Sequence, residues 1–222
     1  MNRPWTIYRH ALIALVAIVI ALAAAPRKLY ALAAAGPLPA VALQELLDGN
    51  ARFVGNRPIH PNARPSRATQ HPIAAILSCA DSRVPPEMIF DQGVGNIFIV
   101  RVAGNTYDRL AFESLHFAVA NLGARLIVVM GHDQCGAVSA AVKAYPDPKA
   151  GPMLANIYPA VTATRGRPGN PVGNAIAENA RLVAQRLAAE PELAPLVARG
   201  ELRIVPARYN LKTGAVTVLP AK

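Results

Sequence analysis

The sequence is poor in cysteine: Cys79 and Cys135 are the only two in 222 residues, and no Cys-x-x-Cys occurs. That excludes a small disulfide-stapled fold and argues against a dithiol redox centre. It also leaves too few sulfurs for an all-cysteine structural zinc site. Aromatic residues make up 5% of the chain, with a single Trp. Acidic residues are in deficit, 13 against 23 Lys and Arg, for a formal net charge of +10. Such a charge invites a nucleic-acid reading. However, Arg3, Arg9, Arg27 and Lys28 fall in the first 35 residues with no acid among them, and the remaining bases are scattered. With no basic stripe and no aromatic RNA-binding motif, a nucleic-acid partner is not expected. The milder consequence of the charge is a positive field that steers small anions. Repeats of a fixed period are absent, and beyond residue 35 no apolar run is long enough to span a bilayer.

The first 35 residues stand apart. Arg3 and Arg9 precede an unbroken apolar run, Ala11 to Ala25, the layout of a secretory signal. The run is short for a spanning helix, which needs ~20 residues. Pro26 follows it at once, while Ala33-Ala34-Ala35 before Gly36 offers a second A-x-A cut. Residues 1–35 are therefore read as a signal peptide or an uncleaved N-terminal membrane anchor, and residues 36–222 as one folded domain. The protein is expected to be exported to the periplasm; the alternative is inner-membrane anchoring facing the periplasm, with membrane contact only through an uncleaved N-terminus.

In the remainder, 53% apolar content over the chain suffices for a sizeable core. Leu43, Leu46, Leu47 and Phe53 predict an amphipathic helix over 41–54, stopped at Gly55. Pro58, Pro61, Pro65 and Pro72 exclude a regular element over 56–72, and His60 and His71 are read there as surface residues. Apolar runs at 73–77, 97–102, 126–130 and 202–205 predict strands. Helices are expected to start at Pro85-Pro86-Glu87 and to cover 108–122, 135–142 and 173–189, with a short one between Met153 and Thr164. Glu178, Arg181 and Arg186 are expected to face water. Residues 209–219 look like a closing hairpin around Lys212-Thr213-Gly214. Strands alternating with helices imply an α/β fold, a mainly parallel central sheet flanked by helices on both faces, with an edge strand or hairpin at the C-terminus.

Two predicted strands end in chemistry. The first closes on Cys79-Ala80-Asp81-Ser82-Arg83, the third on Gly131-His132-Asp133-Gln134-Cys135-Gly136. Ligands bind outside the carboxyl ends of strands in open α/β sheets, so the two pieces can meet there. Cys79, His132 and Cys135 would form a sulfur and nitrogen set suited to zinc, with the fourth tetrahedral position left to water or substrate. Two residues apart on an extended segment, Asp81 and Arg83 point to one side and allow a fork-shaped pair. Asp81 then has two places to bind, the metal's fourth position or the Arg83 guanidinium. A disulfide between Cys79 and Cys135 is the structural alternative. Arg101, on a predicted central strand, is expected to find an interface or a buried carboxylate, and His116 to lie on or pack along its helix.

The run SCADSRVPPEMIFDQGVGNIFIVRVAGN, with LIVVMGHDQCGAV after it, resembles the β-class carbonic anhydrases, and the likeness extends over residues 41 to 219. It implies that 36–222 is a catalytic domain in which Cys79, His132 and Cys135 hold one Zn2+ per subunit. It makes Asp81 and Arg83 the catalytic dyad, and Gln70, nine positions before Cys79, a substrate-orienting residue. Phe98 and Phe117 fall where the family has aromatic pocket residues, the second commonly Tyr. Ile76 stands where a bicarbonate-regulated branch has Trp, which argues against that regulatory pocket. The implied reaction is reversible hydration of carbon dioxide to bicarbonate and a proton. The implied assembly is a homodimer or higher homo-oligomer, with the segment 56–72 as an arm that delivers Gln70 to a neighbour's site. The competing readings are a zinc hydrolase of a related small substrate such as carbon disulfide, a zinc-binding module without turnover, and a thiol redox protein.

Overall fold

A computed structural model describes residues 36–60 and 69–220. The segment read as signal or anchor, 1–35, and the middle of the proline-rich stretch, 61–68, lie outside the described residues. The core is a five-stranded sheet of β1 (Ala74–Ser78), β2 (Ile97–Arg101), β3 (Leu126–His132), β4 (Arg203–Tyr209) and β5 (Val216–Val218), in the order β2-β1-β3-β4-β5. The first four strands are parallel, and β5 runs antiparallel to β4 as a terminal hairpin. This is the expected architecture. The apolar runs of β1 and β3 are buried at every position, as parallel strands covered on both faces must be.

Strand alternation assigns each residue to a layer. Ala75, Leu77, Ile127 and Val129 pack under α3 (Arg109–Ala120) and α7 (Pro171–Ala189), against Phe112, Leu115, Ala180, Val183 and Leu187. Ala74, Ile76, Leu126, Val128 and Met130 face the other way, against Ala42 and Leu46 of α1 (Pro39–Val54) and against Ile89 of the single-turn α2 (Pro86–Ile89). Both long helices on the first face carry side-chain N-caps: Asp108 accepts from the Ala111 N–H at 3.0 Å, and Asn170 from the Gly173 N–H at 2.9 Å. On α1 the buried Asn50 donates to the carbonyls of Ile89 and Gly214 and accepts from the Val216 N–H, which ties the helix to the terminal hairpin.

Three expectations need correction. The stretch from Met153 to Thr164 holds two helices, α5 (Pro152–Ala155) and α6 (Tyr158–Thr164), between α4 (Gly136–Ala144) and α7. Pro159 has no N–H to bond the Ala155 carbonyl, so one helix cannot continue through it. The fourth strand runs on to Tyr209 although Pro206 interrupts it. The Pro206 carbonyl accepts from the Leu219 N–H at 2.8 Å, so the missing donor lies on the side of short β5, away from the β3 ladder. Glu178 does not face water: it is 2% exposed, within 3.4 Å of Arg167 and 3.7 Å of Arg181. The helical spacing of α7 alone does not register that α6 and the loop behind it cover this side. One further short helix, α8 (Ala194–Ala198), was not expected.

Where the proline-rich stretch leaves α1, it is pinned. Asp91, at φ 43° and 3% exposed, accepts from the N–H groups of Ile59 and His60 at 3.1 Å and from the Arg52 guanidinium. His60, expected at the surface, is half-buried and donates from Nδ1 to the Asp91 carbonyl at 2.9 Å. Burial pushes the Asp91 carboxyl up, but Arg52 and the two backbone donors outweigh it and leave it below the usual carboxylate range. A lowered folded value means the contribution is present above the unfolded pKa of ~4 and is lost as pH falls through the folded one. Asp91→Ala is expected to cost about 3 kcal/mol near neutral pH, because it strands a guanidinium and two donors. Urea unfolding of both proteins should show that gap closing below about pH 4.

Candidate metal centre

The chain order and the sheet order diverge at β1: the chain passes to β2 on one side and then crosses to β3 on the other. The crevice outside the carboxyl ends of β1 and β3 is thus a topological switch point. Register pairs Ser78 with Met130, so Cys79 leaves β1 beside the last residues of β3. His132 ends β3, and Cys135 is the N-cap of α4. Gln134 between them takes a left-handed φ of 54°, an uncommon conformation outside glycine, and so compresses the connection to two residues.

The ligand atoms of Cys79, His132 and Cys135 lie within 4.8 Å of one another, all three residues buried. The sulfurs are 3.9 Å apart and free, well beyond the ~2.05 Å of a disulfide. His132 is 0% exposed, and its Nδ1–H donates to the Asp133 carbonyl at 2.8 Å. That bond fixes the tautomer and leaves the lone pair on Nε2, which has no hydrogen-bond partner among the described residues. An orphaned buried nitrogen facing two thiols fits a soft divalent cation such as zinc, and is otherwise costly. In the metal-free pair, a hydrogen bond from the Cys135 thiol holds Cys79 well below the ordinary thiol range, with burial opposing and the Gly104 N–H assisting. Cys135 is pushed up for the same reason, as the donor, and by burial.

Asp81 chooses Arg83. Arg83 Nε donates to Oδ1 at 3.0 Å and Nη2 to Oδ2 at 2.8 Å, and the Arg83 backbone N–H adds a 3.0 Å bond to Oδ1. Arg83 holds the Asp81 carboxyl far below the usual carboxylate range. Asp81 Oδ2 lies 3.9 Å from His132 Nε2, at the edge of the cluster. Arg101 lies on an edge strand rather than the expected central one, and in place of a carboxylate within this chain it donates from Nε to the Cys79 carbonyl at 3.1 Å and from Nη2 to the Asp81 carbonyl. Its strand lies alongside β1, so its fork spans the segment that carries both site residues.

The other expected site residues do not join the cluster within this chain. Gln70 is exposed at the end of the proline-rich stretch. Phe98 is half-buried on edge strand β2, packed against the core layer under α3 and α7. Phe117 is 46% exposed on α3. Neither phenylalanine is in the apolar group around Cys79 and Cys135, which comprises Val138, Ala141, Ile157, Val161 and residues of α7. His116 stacks on Phe112, with ring centroids 5.9 Å apart. Sequence reasoning missed Gly104, whose N–H donates to Cys79 Sγ at 3.2 Å. It also missed the Asp133–Arg208 ion pair, which lines a cleft of about 430 Å³ with Gln134, Asn170 and Ile176.

With this geometry in view, comparison with known proteins becomes specific. The carbonic anhydrase family model matches residues 74–216. Carbonic anhydrase 2 of Mycobacterium tuberculosis is 48% identical over 114 residues, which are 49% of this chain and 55% of that protein. The carbonic anhydrase of Pseudomonas aeruginosa is 37% identical over 106 residues, 44% of this chain and 48% of that one. The chain thus spans about half the length of the curated relatives it matches. Among solved structures, the β-carbonic anhydrase CcaA aligns with a TM-score of 0.62 at 25% identity, covering 68% of this chain and 81% of that one. A tetrameric β-carbonic anhydrase of Sordaria macrospora aligns at 0.61 and 21% identity, over 69% and 83%. The matched residues run from the first strand to the terminal hairpin and contain both cysteines, His132 and the Asp81–Arg83 pair, and on that ground the chain belongs to the carbonic anhydrase family, in its β class.

Proposed function

We propose that this chain is a zinc enzyme that reversibly hydrates carbon dioxide to bicarbonate and a proton. The observation that carries the reading is the convergence of Cys79, His132 and Cys135 within 4.8 Å, beside a carboxylate that Arg83 holds 3.9 Å from His132 Nε2. A zinc ion held by the two sulfurs and Nε2 would supply a Lewis acid with one vacant position, bringing the ionisation of a water toward neutral pH.

The protein's own part is positioning. Paired with Arg83, the Asp81 carboxylate is kept off the ligand set and presents an oxygen that accepts a hydrogen bond from the attacking water. Because its pKa is held so low, Asp81 orients that water and does not store the proton, which passes on to solvent. Arg101 supports this by holding the Cys79 and Asp81 carbonyls. Gln70, Phe98 and Phe117 are proposed to complete the substrate pocket of a second copy in a homodimer or higher homo-oligomer. Strand β2, at the edge of the sheet among the described residues, and the exposed Phe117, Leu110 and Met88 support a partner subunit. The basic and then apolar N-terminus supports export to the periplasm, where bound zinc would shield both sulfurs from oxidation.

The test is stopped-flow hydration of carbon dioxide by zinc-quantified protein between about pH 6 and about pH 9. Turnover that rises toward alkaline pH and disappears on chelation is expected. Zinc-replete protein without hydration at any of these pH values would mean a metal-binding module, and the proposal would fall.

A further inference from the structure

One polar side chain of α7 enters the buried layer behind the metal centre. Asn179 is 1% exposed, flanked on its helix by the buried Ile176, Ala180 and Val183. Its Nδ2 donates to the Gly104 carbonyl at 2.8 Å. Gly104 lies in the 3-10 turn Ala103–Asn105, and its own N–H donates to Cys79 Sγ. The turn is closely fitted. At φ 69° and ψ 19° Gly104 is left-handed, and a Cβ there would lie 2.8 Å from Ile157 Cδ1 and 3.2 Å from Ala137 Cβ. Glycine occupies such a conformation without holding itself in it. Thr106 Oγ1 donates to the Ala103 carbonyl of this turn at 3.2 Å, and the side-chain bond to Gly104 itself, among the described residues, is the one from Asn179.

We propose that Asn179 is a positioning residue for the metal centre. By holding the Gly104 carbonyl it aims the Gly104 N–H at the Cys79 sulfur, and so sets how much charge that sulfur gives the metal. The inference rests on the reading of Cys79, His132 and Cys135 as metal ligands. A donor N–H stabilises the lone pairs of a thiolate, and without it the sulfur donates more strongly and its position is less well defined. The Cys79 backbone has a separate anchor in Arg101, so loss of the Asn179 amide falls on the sulfur's hydrogen bond rather than on the placement of the cysteine. Partners that orient metal ligands in this way commonly govern metal affinity by about 10- to 100-fold.

Asn179→Leu removes the donor at similar volume. Loaded with cobalt(II), the variant is expected to show its thiolate-to-metal charge-transfer band at longer wavelength than wild type, with cobalt bound about tenfold more weakly. A folded, cobalt-loaded variant whose band has not moved overturns the inference, since a purely packing role would leave the sulfur untouched. Should the variant not fold, wild-type protein loaded with a spin-active cadmium isotope decides. Coupling is expected between the Gly104 amide proton and cadmium, and between the Asn179 side-chain nitrogen and the Gly104 carbonyl carbon; the absence of either overturns the proposal. A wild-type protein that takes up cobalt without any charge-transfer band refutes the metal-centre reading itself, whereas a wild-type band that the substitution leaves in place refutes only the role of Asn179.

Discussion

Cys135→Ser is expected to weaken zinc binding by well over a hundredfold and to remove carbon dioxide hydration with it. A serine hydroxyl stays protonated where a thiol beside a cation ionises, so the site loses one of two anionic ligands. The loss should exceed the ~10- to 100-fold that follows removal of a group hydrogen-bonded to a ligand. The fold should survive. Cys135 is the N-cap of α4, and serine is among the preferred residues at that position. Zinc content after dialysis against a chelator, with a thermal melt of the same sample, separates the two effects. Full zinc retention in the serine protein would remove Cys135 from the ligand set.

Asp81→Asn is expected to leave zinc content unchanged and to lower kcat by about 10²-fold, the loss that follows misorientation of a reacting group. The substitution keeps the size of the side chain but replaces one acceptor oxygen with a donor NH2. The Arg83 guanidinium presents two donors to two oxygens, at 3.0 and 2.8 Å, and an amide can satisfy only one of them. The fork is lost, and with it the orientation that keeps the side chain pointed at the space beside His132. The surface exposure of Arg83 makes the pair a small contributor to stability, so the melting temperature should barely move. Wild-type turnover at normal zinc content would refute the assigned role of Asp81.

The parts of this molecule that the sequence displays are those with local causes. β1 and β3 are buried on both faces and therefore read as uninterrupted apolar runs, and each ends directly in its reactive motif, so the triad and the sheet were both legible. The Asp81–Arg83 pairing was legible but its cause was not: an extended segment was expected, whereas residues 81–84 form a turn closed by the Val84 N–H on the Asp81 carbonyl at 3.0 Å, with the Arg83 N–H on Asp81 Oδ1. Contacts made by distant segments were not. Arg101 looked like a charge in need of a carboxylate or an interface, and what it holds within the chain is two carbonyls that only the pairing of β2 with β1 brings within reach. Glu178 looked solvated because helical spacing is blind to the loop that covers it. Asn179 was not singled out, its partner lying 75 residues away. Gln70, Phe98 and Phe117 were named through family resemblance, and a single subunit places none of them in the cluster.

The most direct measurement of the central claim is zinc K-edge X-ray absorption on the loaded protein at alkaline pH. Two sulfurs at about 2.3 Å and one imidazole nitrogen at about 2.0 to 2.1 Å, with a single further light atom completing four-fold coordination, are the expected shell. A zinc shell of nitrogen and oxygen alone, or one with a single sulfur, would contradict the convergence of Cys79, His132 and Cys135 on one metal.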